Sequence, residues 1–228
     1  MEIMINLKKI LKILIIIVIC LVIASLFAHY YKYLIGHDRY LVGLFALDDE
    51  WNIPTYYSSI TLLFCSILLA IIALSHKKEK NKFYLQWTVL AIIFFILSLD
   101  ESLQFHEQVI GRLRYLFNLS GIFYFSWVIP GIIFVIVFVL SFIKFLLNLD
   151  KKIRFLFIIS GIIYVCGAIG MELITGWYAS THGEENIFYA ILTDIEESLE
   201  MIGVLWLIYT LQSYISSNLA GLHIRIEK

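Results

Sequence analysis

An all-α bundle of about six membrane-crossing helices is what this sequence predicts, and three observations predict it. The chain is 61% hydrophobic with a mean hydropathy of +0.88, and only 15% of its residues are charged, too few to keep 228 residues dispersed in water. Apolar stretches of roughly 20 residues, enough to cross about 30 Å of hydrocarbon, recur along the whole chain. Basic residues gather in alternate connections between those stretches, as the positive-inside rule requires. A single integral membrane domain over residues 1–228 therefore accounts for everything.

The first span runs from about Ile10 to Tyr33, behind Lys8, Lys9 and Lys12. Ala24-Ser25 and Ala28 lend it a trace of signal-peptide character, but its apolar run is long for that role, so an uncleaved anchor is expected. The second span, Pro54 to Ser75, begins at Asn52 and Pro54: a proline in the first turn gives up an N–H that has no partner inside the helix. The third runs without a break from Phe83 to about Phe117, and the fourth from Phe123 to Leu147 with a kink expected at Pro130-Gly131. In the fifth, Phe155 to Tyr178, Gly167, Ala168 and Gly170 allow close helix approach. The sixth runs from Ile187 to about Ile215, and Trp51 and Trp177 suit the membrane interface. Cys20, Cys65 and Cys166 stand singly in apolar runs and read as small hydrophobes.

With the N-terminus inside, the inner segments hold Lys8, Lys9, Lys12, Lys77, Lys78, Lys80, Lys82, Lys144, Lys151, Lys152, Arg154, Arg225 and Lys228, 13 of the 17 basic residues. Both termini are thus expected in the cytoplasm. Lys77 to Lys82 form a short turn suited to anionic lipid headgroups, and nothing points to nucleic acid.

Acidic residues show the opposite bias. Asp38, Asp48, Asp49, Glu50, Asp100, Glu101, Glu107, Glu172, Glu184, Glu185, Asp194, Glu196, Glu197 and Glu200, 14 of 18, fall in the outer loops or outer half, against four bases. Acids contribute little to insertion topology, so topology does not explain them. An Asp near the middle of a spanning helix costs about 2.5 to 3.5 kcal/mol even on the lenient insertion scale, so these groups must face the bundle interior or water.

On an unbroken third helix, Asp100, Gln104 and Glu107 share one stripe and Glu101 and Gln108 a second, while His106 points away from Asp100 unless the helix bends. In the sixth span, Glu196 and Glu200 share a face with Thr193 and Gly203, with Glu197 alongside; Glu172 adds a third helix to the same layer. Carboxylates with one imidazole are hard or borderline ligands, so Asp100, Glu101, His106, Glu107, Glu172, Glu196, Glu197 and Glu200 are candidate ligands of a divalent metal. Asp48 and Glu50, in the acidic loop before Pro54, are candidate additions; the alternative is a helix N-terminus that favours negative charge. HExxH and paired ExxH motifs are missing.

Three functions fit. A membrane metal-dependent hydrolase acting on a lipid or other membrane substrate leads. A proton- or cation-coupled transporter or channel is the alternative, supported by Leu99-Asp100-Glu101-Ser102-Leu103-Gln104 echoing Ile195-Glu196-Glu197-Ser198-Leu199-Glu200 in an oppositely directed span. The third is a structural protein whose acids hydrogen-bond within the core.

Leu47-Asp48 through Ile53-Pro54-Thr55, Tyr57-Ser58, Ser98 to Glu101 with His106-Glu107, Gly170 with Glu172, and Glu196-Glu197 with Glu200-Met201 and Gly203 together resemble a family of small bacterial polytopic membrane proteins of unassigned function. The resemblance implies a bacterial cytoplasmic membrane. A more distant similarity is to the alkaline ceramidase-like membrane hydrolases, which pair an acidic N-terminal segment with a membrane Asp/His/Ser site. Their histidine pair four residues apart is missing here, so no residue role is carried over.

Overall fold

The structure is a computed structural model and describes residues 7–36 and 39–219. Asp38, Arg225 and Lys228, counted among the charges above, lie outside the described residues. Helix α1 (Leu7–Tyr30) continues through a π-helical turn to Ile35 and stops at Gly36, whose φ of 89° a side chain would strain. A short helix α2 (Arg39–Phe45) and an acidic loop lead to α3 (Ile53–Lys78). Asn52 caps α3 as its sequence context suggests: its Oδ1 accepts from Thr55 N at 3.1 Å, and its Nδ2 donates to Ala46 O at 2.7 Å, which ties the acidic loop to the helix.

Helices α3 and α4 (Tyr84–Leu103) form the closest pair. Hydroxyls line the seam, where Ser66 donates to Ala91 O at 2.7 Å, Ser98 to Ser59 O at 2.8 Å and Ser102 to Ser59 Oγ at 2.7 Å; small polar side chains let the backbones approach. The continuous third span expected from hydropathy is instead two helices. Gln104 adopts left-handed backbone (φ 56°, ψ 43°) and ends α4, and α5 (Phe105–Phe117) begins afresh with no buried residue. No glycine, asparagine or proline marks that break, so local propensity gave no warning.

A 3₁₀ turn at Gly121–Phe123 precedes α6 (Val128–Asn148). Pro130 lies in the first turn of α6, where its missing N–H would be unpaired anyway, so it starts the helix and does not kink it midway. Helix α7 (Lys151–Val165), a π-helical segment (Cys166–Met171) and α8 (Glu172–His182) make one apolar run, and α9 (Ile187–Asn218) is capped by Asn186, whose Oδ1 accepts from Tyr189 N at 2.9 Å. Among the described residues, five segments are long and apolar enough to cross a membrane: Leu7–Ile35, Ile53–Lys78, Tyr84–Leu103, Val128–Asn148 and Lys151–His182. This is the architecture of a multi-pass membrane protein.

Helix α9 is not in that set because Asp194, Glu196, Glu197 and Glu200 and its polar last turns make it less apolar, yet it is the axis of the bundle. It packs against α1, α3, α7 and α8, and those neighbours shield its carboxylates from lipid. Close contact there depends on two glycines. A Cβ on Gly203 would sit 2.7 Å from Tyr164 N, and one on Gly167 would sit 2.8 Å from Glu200 Cγ and 2.9 Å from Glu196 O. Gly170, expected to help, meets nothing beyond its own helix.

The two ends of the bundle differ. Near the lysine-rich turn between α3 and α4, Trp87 (1% exposed) packs edge-on against Phe145 and beside Tyr214, and His76 Nε2 lies 2.6 Å from Tyr214 Oη. Leu69, Ile72, Ile208 and Leu211 are fully buried just above this cluster. The opposite end is open and acidic.

Candidate functional site

At the acidic end lies a half-open cavity of about 610 Å³. The 47–51 loop supplies Asp48, Asp49 and Glu50 to its wall; the α4–α5 break supplies Glu101, Gln104, His106 and Glu107; α8 supplies Glu172 and Thr175; and α9 supplies Tyr189, Thr193, Glu196 and Glu197. With Glu184, nine of the 19 described lining residues are acidic, and none of the described ones is Lys or Arg.

The break at Gln104 shapes one wall. It turns His106 back onto the end of α4, where Nδ1 lies 2.7 Å from Asp100 Oδ2 and the His106 backbone N–H donates to Asp100 Oδ1 at 3.0 Å. Asp100 is thereby drawn off the cavity wall, and the stripe of Asp100, Gln104 and Glu107 expected on a straight helix does not form. Trp127 packs on the imidazole, with ring centroids 4.9 Å apart, and its Nε1 donates to Glu172 Oε1 at 3.0 Å. Burial pulls the imidazolium of His106 down, but the hydrogen bond and charge of Asp100, with Glu107 and Glu172, outweigh it and hold it up at about 9.

A second wall joins α8 to α9. Glu196 is 7% exposed, accepts from Thr175 Oγ1 at 3.0 Å and lies within hydrogen-bonding reach of Glu172. Two carboxyl groups hold that distance only with a proton or a cation to offset their charge. Glu50 and Glu107 make a similar pair across the mouth. Burial, then Glu50, pushes Glu107 up to about 8. Asp48 opens on the cavity yet is surrounded by protein, and desolvation followed by Glu172 and Asp49 pushes it up to about 7.

The sequence candidates therefore divide. Glu101, His106, Glu107, Glu172, Glu196 and Glu197 share the cavity, and both residues offered as additions, Asp48 and Glu50, line it as well. Glu200 lies behind the wall, beside Gly167 and within hydrogen-bonding reach of Tyr164, and Asp100 is the partner of His106. Among the described residues, no three His, Cys, Asp or Glu side chains converge at metal-ligating geometry, so the eight do not form one compact ligand cage. Two buried atoms on the wall, Glu50 Oε1 and Gln104 Nε2, have no hydrogen-bond partner.

Sequence reasoning missed a neighbouring group. Asp194 faces α1, not the cavity: its Oδ1 accepts from Ser25 Oγ at 2.6 Å and lies 3.5 Å from His29 Nε2, while Ser25 Oγ accepts from Leu47 N at 3.1 Å. This buried trio stitches α1, α9 and the start of the acidic loop together, so the loop wall of the cavity depends on α1. Thr175 was the most legible omission, since it follows Glu172 by three residues on the same face. Trp127 and Tyr189 carried no such signal.

All of these residues fall within 14–213, the stretch matched by one family, described as a domain of unknown function (DUF8692). The chain belongs to that family. No curated protein and no solved structure matches it. The DUF8692 match spans the bundle from α1 through most of α9, so the loop wall, the His106 wall and the α8–α9 wall belong to the family domain together.

Proposed function

We propose that the acidic cavity of this DUF8692 protein binds a divalent cation that keeps part of its water shell, and that the protein is a membrane hydrolase acting on a lipid or other membrane substrate. One observation carries the reading: among the described residues, nine carboxylates and no Lys or Arg line a single half-open cavity. Hard oxygen donors suit Mg²⁺, Mn²⁺ or Ca²⁺. Because no three of these side chains converge at ligating geometry among the described residues, a cation here would be held partly through water, as Mg²⁺ commonly is. Unpartnered Glu50 Oε1 and Gln104 Nε2 are groups that such waters would satisfy.

Asp100 plays the part expected of the partner of a working imidazole. It engages Nδ1 and orients the ring, and because His106 is held as the imidazolium up to about pH 9, Nε2 carries a proton that it can donate and that a cation would have to displace to bind there. A bound dication supplies Lewis acidity, lowering the pKa of a coordinated water. Thr175 and Trp127 fix Glu196 and Glu172 in place.

The membrane reading follows the charges. Helix α9 makes a sixth span beside the five apolar segments, both termini lie in the cytoplasm, and the cavity opens outward from a bacterial cytoplasmic membrane. Transport is the second reading, favoured by the descent of Glu196, Glu197 and Glu200 along α9 toward Tyr164. The fully buried Leu69, Ile72, Ile208 and Leu211 stand across that route, which favours chemistry at one face.

Elemental analysis of the full chain, purified after exposure to Mn²⁺, is the test. Stoichiometric metal that falls in His106→Ala and Glu196→Gln is expected; no metal in the unsubstituted protein overturns the reading. A liposome proton flux abolished by Glu196→Gln would establish transport in its place.

A further inference from the structure

The acidic cavity has an apolar neighbour. Leu113, Phe117, Leu119, Ile129, Pro130 and Ile133 line a second cavity of about 200 Å³, with no polar residue among them. Two elements run from one cavity to the other. Along α5, Ile110 faces the acidic cavity, and Leu113 and Phe117, one and two turns on, face the groove. Opposite them, Phe125 faces the acidic cavity and Ile129, Pro130 and Ile133 of α6 face the groove. Ser126 Oγ donates to Ile110 O at 2.8 Å, and Arg114 Nε donates to Tyr124 O at 2.9 Å, so the two walls are clipped together.

Depth matters as much as adjacency. The groove lies at the first turns of α6, a segment apolar enough to cross a membrane, and beneath α5, which has no buried residue and mixes Glu107, Arg112 and Arg114 with Leu113, Leu116 and Phe117. An amphipathic helix of that kind lies at the boundary between headgroups and hydrocarbon. A groove at this level opens toward lipid chains and continues into a polar cavity.

We propose that the groove takes the hydrocarbon chain of a membrane amphiphile whose polar head enters the acidic cavity, which makes the substrate class a lipid delivered from the plane of the bilayer. A protein partner would fill the groove and leave the adjoining carboxylates unmatched; one amphiphile answers both surfaces. In the metal-free protein the carboxylates, with no Lys or Arg among the described lining residues, select a neutral or amine-bearing head over a phosphate. That the bound lipid is a substrate rests on the hydrolase reading above, whereas chain binding does not.

The experiment uses the full chain in phosphatidylethanolamine and phosphatidylglycerol vesicles with an acyl ethanolamide carrying a photoreactive diazirine at its chain end. Labelling within 113–119 and 129–133 is expected to exceed that at the lipid-exposed Val137 and Leu140 by roughly tenfold, a preference of about 1.4 kcal/mol. Leu113→Trp and Ile129→Trp, which fill the groove, should each remove the excess in protein whose thermal unfolding shows it folded. On metal-free protein, a probe with the same chain and a phosphate head should label less. Equal labelling of groove and control face, or an excess that survives both tryptophans, overturns the proposal. So does a groove occluded by a second copy, seen as cross-linked dimers that Leu113→Trp disperses. Metal content of the unsubstituted protein reports on the cation reading separately, so either can fail alone.

Discussion

At the basic end of the bundle Trp87, Phe145, Tyr214 and His76 interlock in a buried aromatic cluster, while at the acidic end nine carboxylates surround open space with His106 beside them and no Lys or Arg among the described lining residues. Interior packing of the first kind is what gives a helical bundle a single arrangement. The second kind opposes folding, because like charges in a confined site must protonate or bind a cation. One end therefore holds the helices at fixed spacing, and the other uses that spacing to keep carboxylates together that would otherwise separate. A bundle organised only for stability would not place its acids this way.

Substitutions can break or sharpen this contrast. Trp87→Ala should have the largest effect, costing about 3 to 5 kcal/mol through the cavity it leaves, read as a lower unfolding midpoint in detergent while folded material still takes up metal. Gly203→Val comes next, since its side chain meets the Tyr164 backbone; overpacking of this sort costs about 1 to 3 kcal/mol by the same measurement. At the acidic end the sign should reverse. Glu196→Gln is expected to weaken Mn²⁺ binding on the order of 10- to 100-fold by titration, while raising the unfolding midpoint of the metal-free protein. If metal-free stability falls instead, the acids hold the bundle together and the contrast fails.

Protonation gives a milder test. Glu107 and Asp48 have raised values in the folded protein, so the stability they confer is present below their ordinary 4.5 and 3.8 and is lost as pH rises through about 8 and about 7. His106, also raised, contributes below 6.5 and loses that contribution by about 9. All three slope the same way. Metal-free protein should unfold at progressively lower temperature from pH 5 to about pH 9, and Mn²⁺ should flatten that curve. The smallest effect belongs to Asn52→Ala, which removes the α3 cap and the tie to Ala46 at a cost of about 1 kcal/mol, and should loosen the acidic loop more than the aromatic end by hydrogen exchange.

Much of this contrast is legible in the order of residues alone. Asn52 and Pro54 announce the start of α3, the lysines mark one end, and the spacing of Thr193, Glu196 and Glu200 places them on one face of α9. Gln104 is not legible: a residue with no turn preference adopts left-handed backbone there, and that one choice converts a single span into α4 and α5. Pro130 misleads for a related reason. Its effect depends on whether a helix has already begun, and α6 begins only at Val128.

What the sequence by itself determined was the membrane class, the placement of most helices and the segregation of acids from bases, because these depend on composition and on spacing along one helix. Tertiary structure decided which carboxylates share a cavity. His106 meets Asp100 only through the Gln104 break, Glu50 reaches Glu107 only across the mouth between loop and α5, and Asp194 turns away to Ser25 and His29. Those meetings depend on how each helix is rotated against its neighbours and where it stops, and spacing within one helix does not encode the rotation of another.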